Sequence, residues 1–240
     1  MLFLTPLEQR LIIVSIVQCW PIFYNSYFTY KLLKRNKNRV TYSLSSYFIT
    51  STIALIVLLI SIFTATTPCS YPIYMMGYYL FFYCYSFLNV FIWLVLQADK
   101  KTSLRLILIV IGFYSISCCY IFIVGIGFGG IQYGVSTGWI PVFTPYFALI
   151  SWMYILLFYL IPEILIAIKL FRSFKSSPIR NRIYLIGVSI IIGFAVVGFT
   201  ILYNFWIDNS LYRGIHTFIN LPLGTLSAFL LYKSLGKELR

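Results

Sequence analysis

In the run "FYLIPEILIAIKL" (158–170), Glu163 is the single acid, directly behind Pro162. A carboxylate among apolar residues can serve as a general acid, as a proton or cation site, or as half of an ion pair. Each use needs a second group. Asp99 and Asp208 fall in connections between apolar runs, so no second carboxylate joins Glu163 inside one. The histidine, His216, stands alone, and Cys19, Cys69, Cys84, Cys118 and Cys119 are scattered, which gives no zinc-type cluster. No serine–histidine–carboxylate set is apparent. A retinal Schiff base would need a lysine inside the last apolar run, and Lys233 lies beyond it. Gly125, Gly127 and Gly130 match the spacing G-x-G-x-x-G. They lack the preceding strand and the following acid of a dinucleotide site. The expectation is therefore not an enzyme, with no metal and no cofactor.

The remaining polar residues fall on stripes. Tyr79, Tyr83, Ser86, Asn89, Trp93 and Gln97 recur at three or four residues, one face of a helix. Ser15, Gln18, Asn25 and Thr29 form a second stripe, and His216, Asn220 and Ser227 a third; Thr200 and Asn204 fall in the sixth run. Such stripes either bridge neighbouring helices or line a cavity. For the second use, Tyr79, Tyr83, Asn204, His216 and Asn220, together with Trp139, are the candidate ligand-binding residues.

The elements that must carry these residues are membrane helices. The 240 residues are 61% hydrophobic and only 10% charged, with a mean hydropathy of +0.91. Soluble domains carry about 25% charged residues. Seven runs reach the ~20 residues needed to cross a bilayer: 11–31, 42–64, 77–97, 104–124, 146–168, 183–206 and 214–232. The predicted fold is an all-α membrane protein, one seven-transmembrane-helix bundle over 1–240. It leaves no room for a soluble output domain, so an output module is expected on another protein. The first run lacks the basic leader and small-x-small site of a cleaved signal peptide.

The net charge of +13 is distributed by side. Of the 18 basic residues, all but Arg10 and Arg213 fall after the first, third, fifth and seventh runs. By the positive-inside rule that side is cytoplasmic, with the N-terminus outside and the C-terminus inside. The same pattern argues for contact with anionic headgroups, and not with nucleic acid. The uncharged 125–145 connection carries Tyr133 and Trp139. Two readings stay open for it: a lid over the bundle mouth, or interfacial packing.

Three stretches carry a resemblance: "STGWIPVFTP" (136–145), "SSPIRNRIYLIGVSIIIG" (176–193) and the closing "LLYKSLGKELR" (230–240). In layout the chain resembles the seven-helix sensor region at the N-terminus of prokaryotic histidine kinases, and stand-alone archaeal seven-helix proteins. The resemblance implies an input module for signals, without the kinase that follows it in those sensors. Animal receptor motifs are absent, since the third run ends in "QADKK" and the seventh holds "NLPLG".

The expected function is a receptor-like membrane sensor. It takes a small apolar or amphipathic ligand in its outer half and signals to a separate cytoplasmic partner at the basic loops. The alternative is a small transporter with Glu163 as its ion or proton site. Glu163 precedes Lys169 by six residues, about 9 Å at ~1.5 Å per residue. The expectation is thus a switch or ion pair near the inner surface, with Arg39, Arg105 or Arg182 as partner and Pro162 as the bend; Pro222 is a second bend.

Overall fold

The computed structural model describes residues 5–35, 37–97, 103–174 and 177–234. Among them are seven helices long and apolar enough to cross a membrane. They are α1 (Pro6–Arg35), α2 (Arg39–Phe63), α3 (Ser70–Leu96), α4 (Leu104–Gly127), α5 (Pro145–Ser173), α6 (Ser177–Phe205) and α7 (Ser210–Ser234). This is the architecture of a multi-pass membrane protein. Asp99, and of the basic residues counted above Lys100, Lys101, Lys175, Lys237 and Arg240, lie outside the described residues.

Local chemistry sets the helix starts. At α1, the main-chain N–H and hydroxyl of Thr5 donate to the Glu8 carboxylate (2.7 and 2.9 Å), and the N–H of Glu8 donates back to the Thr5 hydroxyl (3.3 Å). That is a capping box with proline at the first helical position. These bonds hold the Glu8 carboxyl below its usual range. Asn38 caps α2 by accepting from the N–H of Thr41 at 2.8 Å. α3 starts at Ser70, well before the expected 77, and shortens the expected 65–76 connection. Its Pro72 falls in the first turn, where no helical donor is lost.

The helices pack in a ring, each against the next, and α1 closes onto α7. α3 sits innermost: 56% of its apolar window is buried, against 11% for α7. Gly77 explains the tight α2–α3 contact, because a Cβ there would stand 2.7 Å from the Leu58 Cγ and 3.0 Å from its main-chain nitrogen. The perimeter exposes Ile16, Phe23, Ile116, Leu149, Ile191 and Phe218, as a lipid-facing surface requires.

The 125–145 connection folds as a small β-hairpin. β1 (Ile131–Gln132) pairs antiparallel with β2 (Val142–Phe143), with Ile131 opposite Phe143. Both of these side chains are buried. Phe143 packs edge-on against Tyr78 (5.4 Å) and Phe147 (5.1 Å), and Tyr133 stacks on Tyr74 at 5.4 Å. The turn thus packs on one end of the bundle. The end of the bundle under this turn is called here the hairpin end, and the opposite one the basic end.

Inside α5, residues Leu156–Leu160 form a π-turn between α-helical halves, with the N–H of Ile161 donating to the carbonyl of Leu156. The turn stands one residue ahead of Pro162, which has no N–H for the carbonyl of Phe158. Asn89 on α3 supplies the missing donor, its Nδ2 lying 3.3 Å from the Phe158 oxygen.

Candidate functional site

A cavity of about 290 Å³ opens between α1, α2, α3, α6 and α7 beneath the hairpin. The aromatic side of α3 supplies one wall: Tyr74, Tyr78, Phe81 and Tyr85 recur at three or four residues along it. Facing them are Val17, Pro21 and Tyr24 of α1, and Val196 and Leu221 of α6 and α7. Tyr133 and Pro141 of the hairpin reach it from above. Small-molecule sites are mostly apolar and aromatic with a few placed polar groups, and this lining has that character.

The polar groups cluster by depth. Asn25 donates to the Ser51 hydroxyl at 3.1 Å, and Asn220 Nδ2 to the Thr200 hydroxyl at 3.1 Å. These bonds fix the two amides while leaving Asn220 Oδ1 buried without a partner. Gln18 Oε1, His216 Nε2 and Arg10 Nε, on other lining residues, are buried and unpartnered as well. Four lining residues thus each carry one polar atom the fold leaves unused, where native interiors leave few.

A second polar centre lies below the cavity. Glu163 is fully buried, and neither carboxylate oxygen accepts a hydrogen bond. Tyr47, Tyr85, Tyr114 and Cys84 surround it within electrostatic reach. Tyr159 packs on this cage, stacked on Tyr114 at 5.3 Å and tilted against Tyr85 at 5.7 Å. Tyr47 and Tyr85 also line the cavity. The two centres therefore share a layer of side chains: the floor of one is the roof of the other.

No family model matches the chain, and no curated protein is similar to it. The likeness to sensor regions thus rests on layout, and the reading of the site on its geometry.

The structure sorts the candidates. Asn204, His216 and Asn220 line the cavity, and Trp139 packs edge-on against Tyr133 at 5.9 Å, just outside it. Tyr79 and Tyr83 do not belong to it. Tyr79 bonds Ser115 of α4 at 2.8 Å, and Tyr83 stacks on Tyr79 at 5.8 Å. Periodicity groups residues on a face without saying where that face looks. α3 is buried on several sides, and its cavity face is one position away, at Tyr74, Tyr78 and Tyr85. Neither Glu163 oxygen accepts a hydrogen bond from Arg39, Arg105 or Arg182. α5 continues to Ser173, so Glu163 lies about 15 Å from its end at ~1.5 Å per residue. Arg10 was read only as a topology charge, although a base at an otherwise nearly base-free end was a usable signal. The polar aromatics Tyr24, Tyr47 and Tyr203 gave none.

The Asn89–Phe158 bond makes a specific prediction. Asn89→Leu leaves the Phe158 carbonyl without that donor and destabilises the bundle by about 1–3 kcal/mol. Pro162→Ala restores a main-chain donor and recovers part of the loss in the double variant. Equilibrium unfolding in detergent measures both; additive effects would show that the amide does not substitute for the proline's missing N–H.

Proposed function

We propose that the chain is a receptor-like seven-helix membrane sensor. A small apolar or amphipathic ligand enters at the hairpin end, which faces outside, and the basic end faces the cytoplasm and a separate signalling partner. The observation carrying this reading is the shared layer: Tyr47 and Tyr85 line the cavity and stand beside Glu163. A ligand that displaces these rings changes the surroundings of a carboxyl with no fixed partner. Glu163 stands just past the π-turn and Pro162, the segment of α5 least bound to a straight helix. A shift there moves the half of α5 that carries Lys169 and Arg172 at the basic end. Such a shift follows only if ligand prefers one of two bundle states.

A bimane label at Arg172→Cys in a cysteine-free background reads this movement. A panel of amphipathic compounds should include some that change its fluorescence saturably, and Tyr85→Ala should abolish the change. A panel that binds without altering the label would remove the sensor reading. Orientation is tested by an impermeant maleimide on intact cells: the exposed Cys69 reacts if the hairpin end is outside, and Cys69→Ser loses the label.

The unpartnered carboxyl below the cavity also favours a second reading, a small transporter with Glu163 as proton or cation site. Solute flux into proteoliposomes that vanishes in Glu163→Gln would decide for it.

A further inference from the structure

At the hairpin end of the cavity, two arginines converge on one phenol. Arg213 Nη2 donates to the Tyr203 hydroxyl at 3.1 Å, and its guanidinium carbon lies 4.7 Å from the centre of the same ring. Arg10 lies within electrostatic reach of that hydroxyl and of Tyr74. His216 also packs on Tyr203, its ring 4.6 Å from that of the phenol. Arg10 Nε, Arg213 Nε and His216 Nε2 are all buried and without a hydrogen-bond partner.

What this cluster lacks is an anion. Partly buried guanidinium groups pair with carboxylate or phosphate, whose oxygens match their fork of donors. Without an anion, the Tyr203 ring and hydroxyl and the Ile207 carbonyl offset part of the desolvation of Arg213, and the charge itself stays uncompensated. Among the described residues no Asp or Glu lines the cavity. The nearest acids along the chain are already placed elsewhere: Glu8 is bound by Thr5, and Asp208 is exposed on the connection before α7. Below the cluster the wall turns aromatic and aliphatic, through Tyr78, Phe81, Leu55 and Val17.

We infer that the cavity takes an amphipathic anion: one carboxylate-like headgroup at Arg10, the arginine that lines it, beside Tyr203, with Arg213 adding positive charge from its place on the Tyr203 ring, and one apolar tail or ring pointing down toward Tyr85. This rests on the cavity reading above and adds the charge and polarity of its ligand. The size agrees. About 290 Å³ is close to twice the roughly 150 Å³ that holds benzene in an engineered cavity, enough for a ring with a short chain or for a medium-length acyl chain. The same headgroup chemistry has two sources, a free organic acid or an anionic lipid of the surrounding bilayer.

The test uses the full chain in phosphatidylcholine nanodiscs, with binding read from tryptophan fluorescence. The probes are octanoate and 4-phenylbutyrate, set against octanol and 4-phenylbutanol as neutral isosteres. The carboxylates should bind saturably and more tightly than the alcohols. Arg10→Met should weaken the carboxylates about tenfold or more, the loss of a charge-assisted hydrogen bond, and leave the alcohols within about twofold. Arg10→Lys should recover part of the loss. Should Arg10→Met misfold, Arg10→Gln asks the same question. Acids and alcohols binding equally would overturn the anion while sparing the cavity. No saturable binding by any probe would overturn both. Repeating the titration in phosphatidylglycerol nanodiscs separates the sources: competition by the lipid assigns the headgroup site to lipid, and unchanged octanoate binding assigns it to the free acid.

Discussion

Glu163→Met raises the unfolding midpoint of the detergent-solubilised protein. The carboxyl is fully buried and its two oxygens find no donor. An unsatisfied buried polar group costs about 1–3 kcal/mol, whereas an apolar side chain of similar length leaves nothing unpaired. For a chain of this size each kcal/mol is worth about 2–4 °C. Methionine also adapts to irregular space, which limits strain. The same variant should lose the coupling between the cavity and the basic end, because the group that senses the tyrosine layer is gone. Gain of stability with loss of response would mark a group held against the interest of the resting fold. A fall in the midpoint, by contrast, would mean that Glu163 has a stabilising partner in solution, and the unpartnered cage would have to be abandoned.

The second large effect concerns the seam between α2 and α3. Gly77→Leu should yield no monodisperse protein, and Gly77→Ala should lose about 1–3 kcal/mol to overpacking. Alanine is worth about 1 kcal/mol more than glycine in a helix, so a penalty would be visible only if the contact is as close as described. It is close. The added carbon meets Leu58 Cγ at 2.7 Å, Cδ2 at 2.8 Å and the main-chain nitrogen at 3.0 Å. Leu58→Ala should rescue Gly77→Ala in part, by withdrawing the side chain. It should not rescue Gly77→Leu, since the backbone of α2 cannot withdraw without parting the helices. Gly112→Ala is the control, with nothing within 4 Å of its added carbon. Size-exclusion profiles and thermal midpoints of these five variants decide it, and a neutral Gly77→Ala would refute the close seam.

These effects mark where sequence reasoning succeeds and where it stops. The seven spans were legible because hydrocarbon demands long uninterrupted apolar runs, a constraint each stretch satisfies by itself. The ligand cavity was half legible. Asn204, His216 and Asn220 are polar residues on mostly apolar helices, where any polar side chain must turn inward. Tyr79 and Tyr83 misled because α3 buries several faces, so neither polarity nor period says which one meets the cavity. The strands at 131–132 and 142–143 are too short to show alternation. The burial of Glu163 depends on side chains of α2, α3 and α4, Tyr47, Tyr85 and Tyr114 among them, which its own run does not name.

The π-turn has one more consequence, in the phase of α5. Its buried side chains include Phe147, Ser151, Ile155, Tyr159 and Glu163, each four positions after the last. In an unbroken α-helix a step of four drifts by about 40°, so that Glu163 would stand about 160° around the axis from Phe147. The one extra residue held in the turn takes back about 100°. Phe147 under the hairpin and Glu163 under the tyrosines thus face the same interior. Straightening Leu156–Leu160 into α-helix with every residue kept would swing the carboxyl by about 100° toward lipid, whereas a single-residue deletion there would remove the turn and leave the carboxyl facing the interior.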